Sequence, residues 1–381
     1  MRTGSCSFAL LVAFLGTAPT ARAADITFPM LVPLTGVLSI EGTSQRNGAL
    51  LAVKNAPTGV TVMAPVSDTG QSPEIAVNAF EKAIGDGPVT AIGASMFGPQ
   101  ILALVPLAQE AKVPLVTVSG TGKITELGSP YIFRFFPADP VAKAAHARYV
   151  VEMLGKRRVA MIVQTTPYGQ SGRPLLEANF KKLGATVVFD EAIDVTVKDM
   201  LPLLSKVRQA NPDVLVLHLH APSTALVIKQ AAAMNLNLPI VAGSAMHQPV
   251  TAALLEPAEL KDVCAESGSS PISGSSPISG GTPEIDTFLA QYRKEYGSEP
   301  DAFALGQYDG TMMVLDAVAN GARTGEAVAT ALATTRYKGV AMTYRSDGHG
   351  NMAHSAVILC YDGETRLPKI VKRYDNIDGV P

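Results

Sequence analysis

VTAIGASMFGPQILALVPLAQEAKVPLVTVSGTGKIT, residues Val89–Thr125, decides the fold. Two short apolar runs, Val89–Ala94 and Pro114–Val118, have the length and composition of buried strands. Between them, Pro99–Ala111 places apolar residues at helical spacing. The three pieces form one β-α-β unit, because parallel strands need a crossover of this length. Both strands run out into small and hydroxyl residues, Gly93-Ala94-Ser95 and Ser119-Gly120-Thr121-Gly122. Ligands of open α/β sheets sit outside the carboxyl ends of the strands. Small residues there let backbone N–H groups reach a ligand, and Ser119 and Thr121 add hydroxyl donors. Ordinary βα turns favour the same residue types, so this stretch alone leaves a plain turn as an alternative.

The same alternation extends in both directions. Upstream, Ile26–Leu34 reads as a strand, Val37–Gly42 as a loop, and the segment carrying Leu50, Leu51 and Val53 as a helix. Val60–Val66 is the next strand, and Ser72-Pro73 opens a helix with proline in its first turn. Downstream, Tyr131–Phe136 is a strand, and Pro140 starts a helix through Leu154. A second series then begins. It has strands at Arg158–Gln164, Thr186–Ile193, Asp213–His220, Pro239–Ala242 and Asp262–Ala265, with helices between them. Strands alternating with helices predict a doubly wound parallel sheet, here twice. Residues Gly268–Ser279 repeat GSSPIS in tandem, which predicts a flexible, exposed surface loop. Helices at Pro283–Tyr296, Asp301–Asn320 and Gly325–Ala333 follow, then strand-like runs Val340–Tyr344, Ser355–Tyr361 and Lys369–Arg373 that read as edge and closing pieces for the two sheets.

The 381 residues suffice for two domains, and 47% hydrophobic with 17% charged residues describes a globular core rather than disorder. The N-terminus reads as a signal peptide. Arg2 is its basic region, Phe8–Leu15 its short apolar run, and Ala21-Arg22-Ala23 a small-x-small site cleaved after Ala23. The run is too short to span a bilayer. Cys6 precedes it, so it is not a lipid-anchor cysteine and leaves with the leader. Cys264 and Cys360 remain, in a compartment that permits disulfides. The net charge is −2, and loss of Arg2 and Arg22 makes the mature chain more acidic. With no basic stripe, neither nucleic acid nor an anionic membrane surface is an expected partner.

Catalytic signatures are missing. There is no Gly-x-Ser-x-Gly, no Gly-Lys-Ser/Thr phosphate loop, no Gly-x-Gly-x-x-Gly after a strand, no Cys-x-x-Cys and no His-Glu-x-x-His. An enzyme is therefore not expected, and neither is a cofactor. His218 and His220 share one strand face and His247 follows the next strand. A three-histidine metal site stands against a buried His218 with His220 and His247 donating hydrogen bonds. Without a carboxylate or cysteine motif beside them, no metal is expected. Tyr168, after the strand that opens the second series, can stack on a ligand or serve as a turn residue packing on Pro167.

Taken in order, these pieces resemble the periplasmic solute-binding proteins of the branched-chain amino-acid type, which feed ATP-driven importers. The matching stretches are VPLTG at 32–36, Asn47-Gly48-Ala49, Asp68 with Pro73 and Ala76, and AIGASMFG at 91–98. They continue through VPLVTVSGTG at 113–122, YIFRFFPAD at 131–139, Tyr168-Gly169 and AFALGQYDG at 302–310. The resemblance covers essentially the whole mature chain. It implies an α/β protein of two doubly wound parallel-sheet lobes joined by a three-strand hinge, the type I periplasmic binding protein architecture, closing on a ligand like a clamp. Residues 24–136 and 267–355 would form the first lobe, and 137–266 and 356–381 the second. The crossovers would fall near Phe136, Cys264–Ser267 and Ser355–Val357.

The resemblance also implies a site. Ser119, Gly120 and Thr121 would clamp a ligand carboxylate, and Tyr168 would be an aromatic from the second lobe. Glu41 stands where the family often has an aromatic, Phe97 where amino-acid binders often place a serine, and His220 in place of a second-lobe aromatic. The family's acid for a ligand ammonium should follow Gly243, yet the chain reads Ser244-Ala245-Met246-His247. A closed cleft without that acid should reject an ammonium, because burying one unpaired is expensive. Met96, Phe97, Tyr168, Ala245 and Met246 would line an apolar cleft, with His220 or His247 as a further donor. The expected ligand is a small organic acid with an aromatic or branched body, delivered by a monomer to the membrane permease subunits of the importer. If Glu41 faces the cleft it could pair an ammonium, and the ligand would be a branched-chain or aromatic amino acid. A ligand-sensing receptor subunit is the other function this fold would serve. Cys264 and Cys360, each near a crossover, are expected close together, with two buried free thiols the expected state.

Overall fold

A computed structural model describes residues 26–273 and 278–377, with Met1. The leader, its cleavage site after Ala23 and residues 274–277 of the tandem repeat lie outside the described residues. Five parallel strands make the first sheet, in the order Val66–Asp68, Met30–Val32, Ile92–Ala94, Leu115–Thr117, Ile132–Arg134. The order reverses between Met30–Val32 and Ile92–Ala94. The quoted β-α-β unit is therefore central, and its first strand borders the switch point where such sheets open a crevice. The sheet is buried on both faces. Leu31, Ile92 and Leu115 pack with Phe80, Ile101 and Leu104 of the helices Pro73–Gly85 and Gly98–Ala111. Phe28, Met30 and Phe133 face the late helices through Phe288, Leu305 and Val328. The helices Ser39–Lys54 and Ala302–Ala319 approach so closely that a Cβ on Gly48 would lie 2.0 Å from the Ala304 carbonyl oxygen.

The second sheet has seven strands, in the order Lys369–Tyr374, Ala356–Cys360, Val263–Ser267, Ile240–Ala242, Val214–His218, Arg158–Gln164, Thr186–Ile193. Ala356–Cys360 runs antiparallel to both its neighbours, and the other six strands share one direction. Six residues of Arg158–Gln164 are buried, as expected of a strand covered on both faces. Val159, Met161 and Val163 meet Phe180 on one side, and Ala160 and Ile162 meet Leu204 and Leu217 on the other. Its order reverses between Arg158–Gln164 and Val214–His218. The chain passes from the first sheet to the second after Arg134, returns after Ser267, and crosses again into Ala356–Cys360.

Several expectations are corrected. Val37–Gly42 is not wholly loop. A helix begins at Ser39 with Leu38 at its cap position, where no side chain caps it, so the usual start signal is missing. Val60–Val66 is divided beside Pro65, which has no N–H for a ladder. Val62–Met63 pairs with Ile26–Thr27, and Val66–Asp68 joins the main sheet. Of the late runs, Thr343–Tyr344 forms a small hairpin with Tyr337–Lys338. The other two both extend the second sheet.

The repeat is not exposed throughout. Gly268–Pro271 is buried, with Gly268 packed against Pro137 and Phe136. Cys264 and Cys360 face each other across antiparallel strands and are joined by a disulfide, where free thiols were expected. The register that makes them direct cross-strand partners supplies the proximity a bridge requires.

Candidate functional site

The carboxyl ends of both sheets converge on one cleft. Glu41, Met96, Phe97, Gly98, Gly120, Thr121 and Phe303 line it from the first-sheet side, and Tyr168, His220, Ser244 and Ala245 from the second. Each switch point contributes. Glu41 and Phe97 follow the strands that flank the reversal in the first sheet, and Tyr168 and His220 follow the corresponding pair in the second. The lobes are closed, and the cavity volume is about 30 Å³. Small-molecule pockets hold roughly 300–1,000 Å³, so the lobes must part to admit a ligand.

The loop after Leu115–Thr117 has its carbonyls turned inward. Arg134, fully buried, donates from Nη1 to the carbonyl oxygens of Ser119 (3.3 Å), Gly120 (3.1 Å) and Thr121 (2.8 Å). Its Nη2 reaches the Gly122 carbonyl (3.3 Å) and Thr125 Oγ1 (2.7 Å). The N–H groups of Gly120 and Thr121 have no protein partner among the described residues, whereas the Ser119 N–H donates to Thr117 Oγ1 at 3.2 Å. Ser119 itself is buried behind the cleft, its Oγ without a partner. The donors offered to the cavity are therefore those of Gly120 and Thr121. Gly120 also tolerates no side chain easily: a Cβ would stand 3.3 Å from Asp139 Oδ1.

Glu41, in the first turn of Ser39–Lys54, is 2% exposed and its Oε2 has no hydrogen-bond partner. Burial, with a smaller push from Asp301, raises its pKa to about 7. Opposite, Tyr168 lies in the first turn of Pro167–Lys182 rather than in a turn before it. Its ring packs against His218 and His220 at 3.8 and 5.3 Å between centroids, and its hydroxyl meets Ser244 Oγ at 3.3 Å. His218 Nε2 bonds the Tyr168 carbonyl at 2.9 Å, and burial, aided by Lys143, holds its pKa well below the ordinary value. His220 Nε2 bonds Thr166 Oγ1 at 3.1 Å, and burial lowers its pKa to about 4. Both imidazoles are thus neutral near pH 7.

Behind Tyr168, buried Lys143 pairs with Glu266, which also meets His146 Nδ1 at 2.9 Å. Burial opposes ionisation of Glu266, but Lys143 and His146 outweigh it and hold its pKa down at about 2. Asp139, also buried, has its pKa raised to about 6 by burial, opposed by Lys143. Among the described residues, no group of three His, Cys, Asp or Glu side chains could hold a metal ion.

Met246 and His247 do not line the cavity. Met246 is fully buried in the second-lobe core, because the short 3-10 turn Ser244–His247 aims it at the sheet. His247 sits one layer back between Phe136 and Phe303, at 6.2 and 5.1 Å, with both ring nitrogens unpartnered. Gly98, Ser244 and Phe303 line the cavity without having been singled out. Phe303 arrives from a helix far along the chain, and although AFALGQYDG is among the matching stretches, nothing in it singles out this ring. Ser244 follows Gly243 directly and was within reach of the strand-end argument.

Two lobes meeting at the strand ends, with a pair of free N–H groups turned to the cavity between them, define a ligand-binding clamp. The chain belongs to the periplasmic binding protein family, whose pattern it matches over residues 25–363. It is 24% identical over 373 residues to Leu/Ile/Val-binding protein homolog 1 of Brucella suis, an alignment covering 96% of this chain and 93% of that one. Leucine binding protein LivK of Thermotoga maritima superposes with a TM-score of 0.81 at 24% identity, over 93% of this chain and 99% of that one. A solute binding protein of an ABC transporter from Rhodopseudomonas palustris, solved with 3,4-dihydroxy benzoic acid, superposes with a TM-score of 0.82 at 22% identity, over 92% and 97%. The architecture is that of a type I periplasmic binding protein.

Proposed function

We propose that this chain captures a small carboxylate with an aromatic or branched body between its lobes, outside the cytoplasm, and delivers it to the permease subunits of an ABC importer. The observation that carries the reading is the pair of unpartnered N–H groups of Gly120 and Thr121 opening into the cleft above a buried guanidinium. Such donors suit an anion. Met96, Phe97, Phe303 and Tyr168 form the walls, which suits an apolar body. The relatives point the same way: a leucine-binding protein and a dihydroxybenzoate complex share a carboxylate on an apolar frame. In this reading the leader is removed after Ala23, the mature protein works in the periplasm as a monomer, and it performs no catalysis. Residues 24–136 with 267–355 and 137–266 with 356–381 are the two lobes.

One observation favours a second ligand class. Glu41 faces the cleft with an oxygen unpartnered. Ionised, it would match an ammonium and make the ligand an amino acid. Its raised pKa lets it remain protonated and donate a hydrogen bond instead, so an ammonium is not required. Calorimetric titration of phenylalanine against phenylpyruvate, and of leucine against 4-methyl-2-oxopentanoate, separates the two. The proposal expects the keto acid to bind at least as tightly in each pair. Tighter binding of the amino acid, lost in Glu41→Gln, would establish the second reading.

A further inference from the structure

We propose that Arg134 is the residue that builds and charges the anion cradle, and that it makes the cleft select carboxylates over their neutral analogues. The inference rests on the carboxylate reading above. In a trans peptide the C=O and the following N–H share a plane and point in opposite directions. The Ser119 carbonyl faces Arg134, so the Gly120 N–H faces away from it, and the Gly120 carbonyl fixes the Thr121 N–H in the same way. The Thr121 carbonyl fixes the Gly122 N–H, which crosses the cleft to Ser171 Oγ at 3.2 Å. One guanidinium thus orients three successive donors, two towards the cavity and one towards the opposite lobe.

The charge of Arg134 is the second part. It is fully buried, Nε has no partner, and no carboxylate lies within ion-pair distance among the described residues. Asp139, Asp347 and Glu126 act on it only at longer range. A buried cation held by carbonyl dipoles and one hydroxyl, with carboxylates only at longer range, is an expensive arrangement. Polarised peptides carry its field to the cavity, where a ligand carboxylate is the missing counter-charge. Its backbone is clamped, N–H to the Gly350 carbonyl at 2.8 Å and carbonyl from the Met352 N–H at 3.0 Å, so the fork is held in place from the strand outward. Lysine keeps the charge but lacks a planar fork able to hold several carbonyls.

The test titrates wild type, Arg134→Lys and Arg134→Met with acid and amide pairs: benzoate and benzamide, L-leucine and L-leucinamide, 4-hydroxybenzoate and 4-hydroxybenzamide. Circular dichroism establishes that each variant is folded. Wild type should prefer the acid. Arg134→Lys should weaken the acid about tenfold and Arg134→Met about 100-fold. Each should weaken the amide by no more than about threefold, since the amide draws little on the field. Equal weakening of acid and amide in Arg134→Lys would make Arg134 a structural residue only and overturn the inference, even if Arg134→Met fails to fold. A wild type that binds none of the acids overturns the carboxylate reading itself. A wild type that prefers acids, with a variant that keeps the full preference, overturns the role of Arg134 alone.

Discussion

Glu41→Gln should stabilise the unliganded protein, and by an amount that depends on pH. The carboxyl is 2% exposed, Oε2 has no partner, and its pKa stands at about 7 against an ordinary 4.5. Below pH 4.5 the group is protonated in both folded and unfolded chains and contributes nothing. As pH rises from 4.5 to 7, the unfolded chain ionises first and folding loses stability. Above pH 7 the loss is complete, and at about 1.4 kcal/mol per pH unit it amounts to about 3 kcal/mol. Glutamine fills the same space without ionising. Urea unfolding of both proteins at pH 4.5 and pH 8 isolates the effect, because any difference in packing is common to both conditions. The variant's advantage should grow by about 3 kcal/mol between them. An advantage independent of pH would show that Glu41 is solvated or paired in solution, and would refute its place as an unpartnered acid in the cleft. The same group reports on the ligand. A ligand bringing an ammonium would expel a proton from Glu41 near pH 6.5, seen as a buffer-dependent heat of binding, and a simple carboxylate would not.

Two further predictions concern the frame. Removing the disulfide with Cys264→Ser and Cys360→Ser should lower the unfolding free energy by about 4 kcal/mol, since the bridge closes a sequence separation of 96 residues; a denaturant midpoint unchanged by the substitutions, or by reduction, contradicts this. Gln248→Ala removes a buried bond of 3.0 Å from Nε2 to Asp301 Oδ2 that crosses between the lobes. A hydrogen bond to a charged group contributes about 1.5–3 kcal/mol, so stopped-flow should show ligand leaving about 10–100 times faster with little change in association, and an unaltered off-rate would show that this contact does not hold the lobes together.

Much of this was legible in the chain. Alternating buried strands and helices have a clear period, and the rule that ligands gather at strand ends located Gly120, Thr121, Tyr168 and His220 on the cleft wall. What periodicity does not encode is the direction of a side chain within an irregular turn. Ser119 and Met246 lie at strand ends as expected, yet the first is buried behind its loop and the second points into the core. His247 is displaced by one layer for the same reason. Phe303 was invisible because Ala302–Ala319 is buried on nearly every side and shows no polar stripe to orient it. The charge in YIFRFFPAD was the one local sign of Arg134: an arginine in an otherwise apolar, buried strand must find several acceptors. The cysteines could be placed near each other from the crossovers, but their oxidation follows from the strand register, which pattern alone does not fix.

The second lobe presents a wall of different character, and the buried charges behind it explain how it is held. Lys143 and His146 lie on Asp139–Arg148, the helix entered directly after the first crossover, while Glu266 lies on Val263–Ser267, from which the chain crosses back. The pair therefore ties two connections of the hinge together at cleft level. Desolvating both charges offsets much of their attraction, so an apolar replacement of equal volume would hold the fold about as well. What such a replacement would lose is the influence on the cleft. Lys143 Nζ stands 5.6 Å from the Tyr168 ring centroid and helps keep His218 neutral. A neutral His218 bonding through Nε2–H to the Tyr168 carbonyl leaves Nδ1 without a proton or a partner. Tyr168 is thus fixed from the ring face, from its carbonyl and from its hydroxyl before any ligand arrives. In the proposed reading the first lobe supplies both the donors for a carboxylate and the apolar Met96, Phe97 and Phe303, and the second adds the fixed Tyr168 ring from the opposite side. The first wall covers a ligand from one side only, so enclosing its body between Phe97 and Tyr168 requires closure.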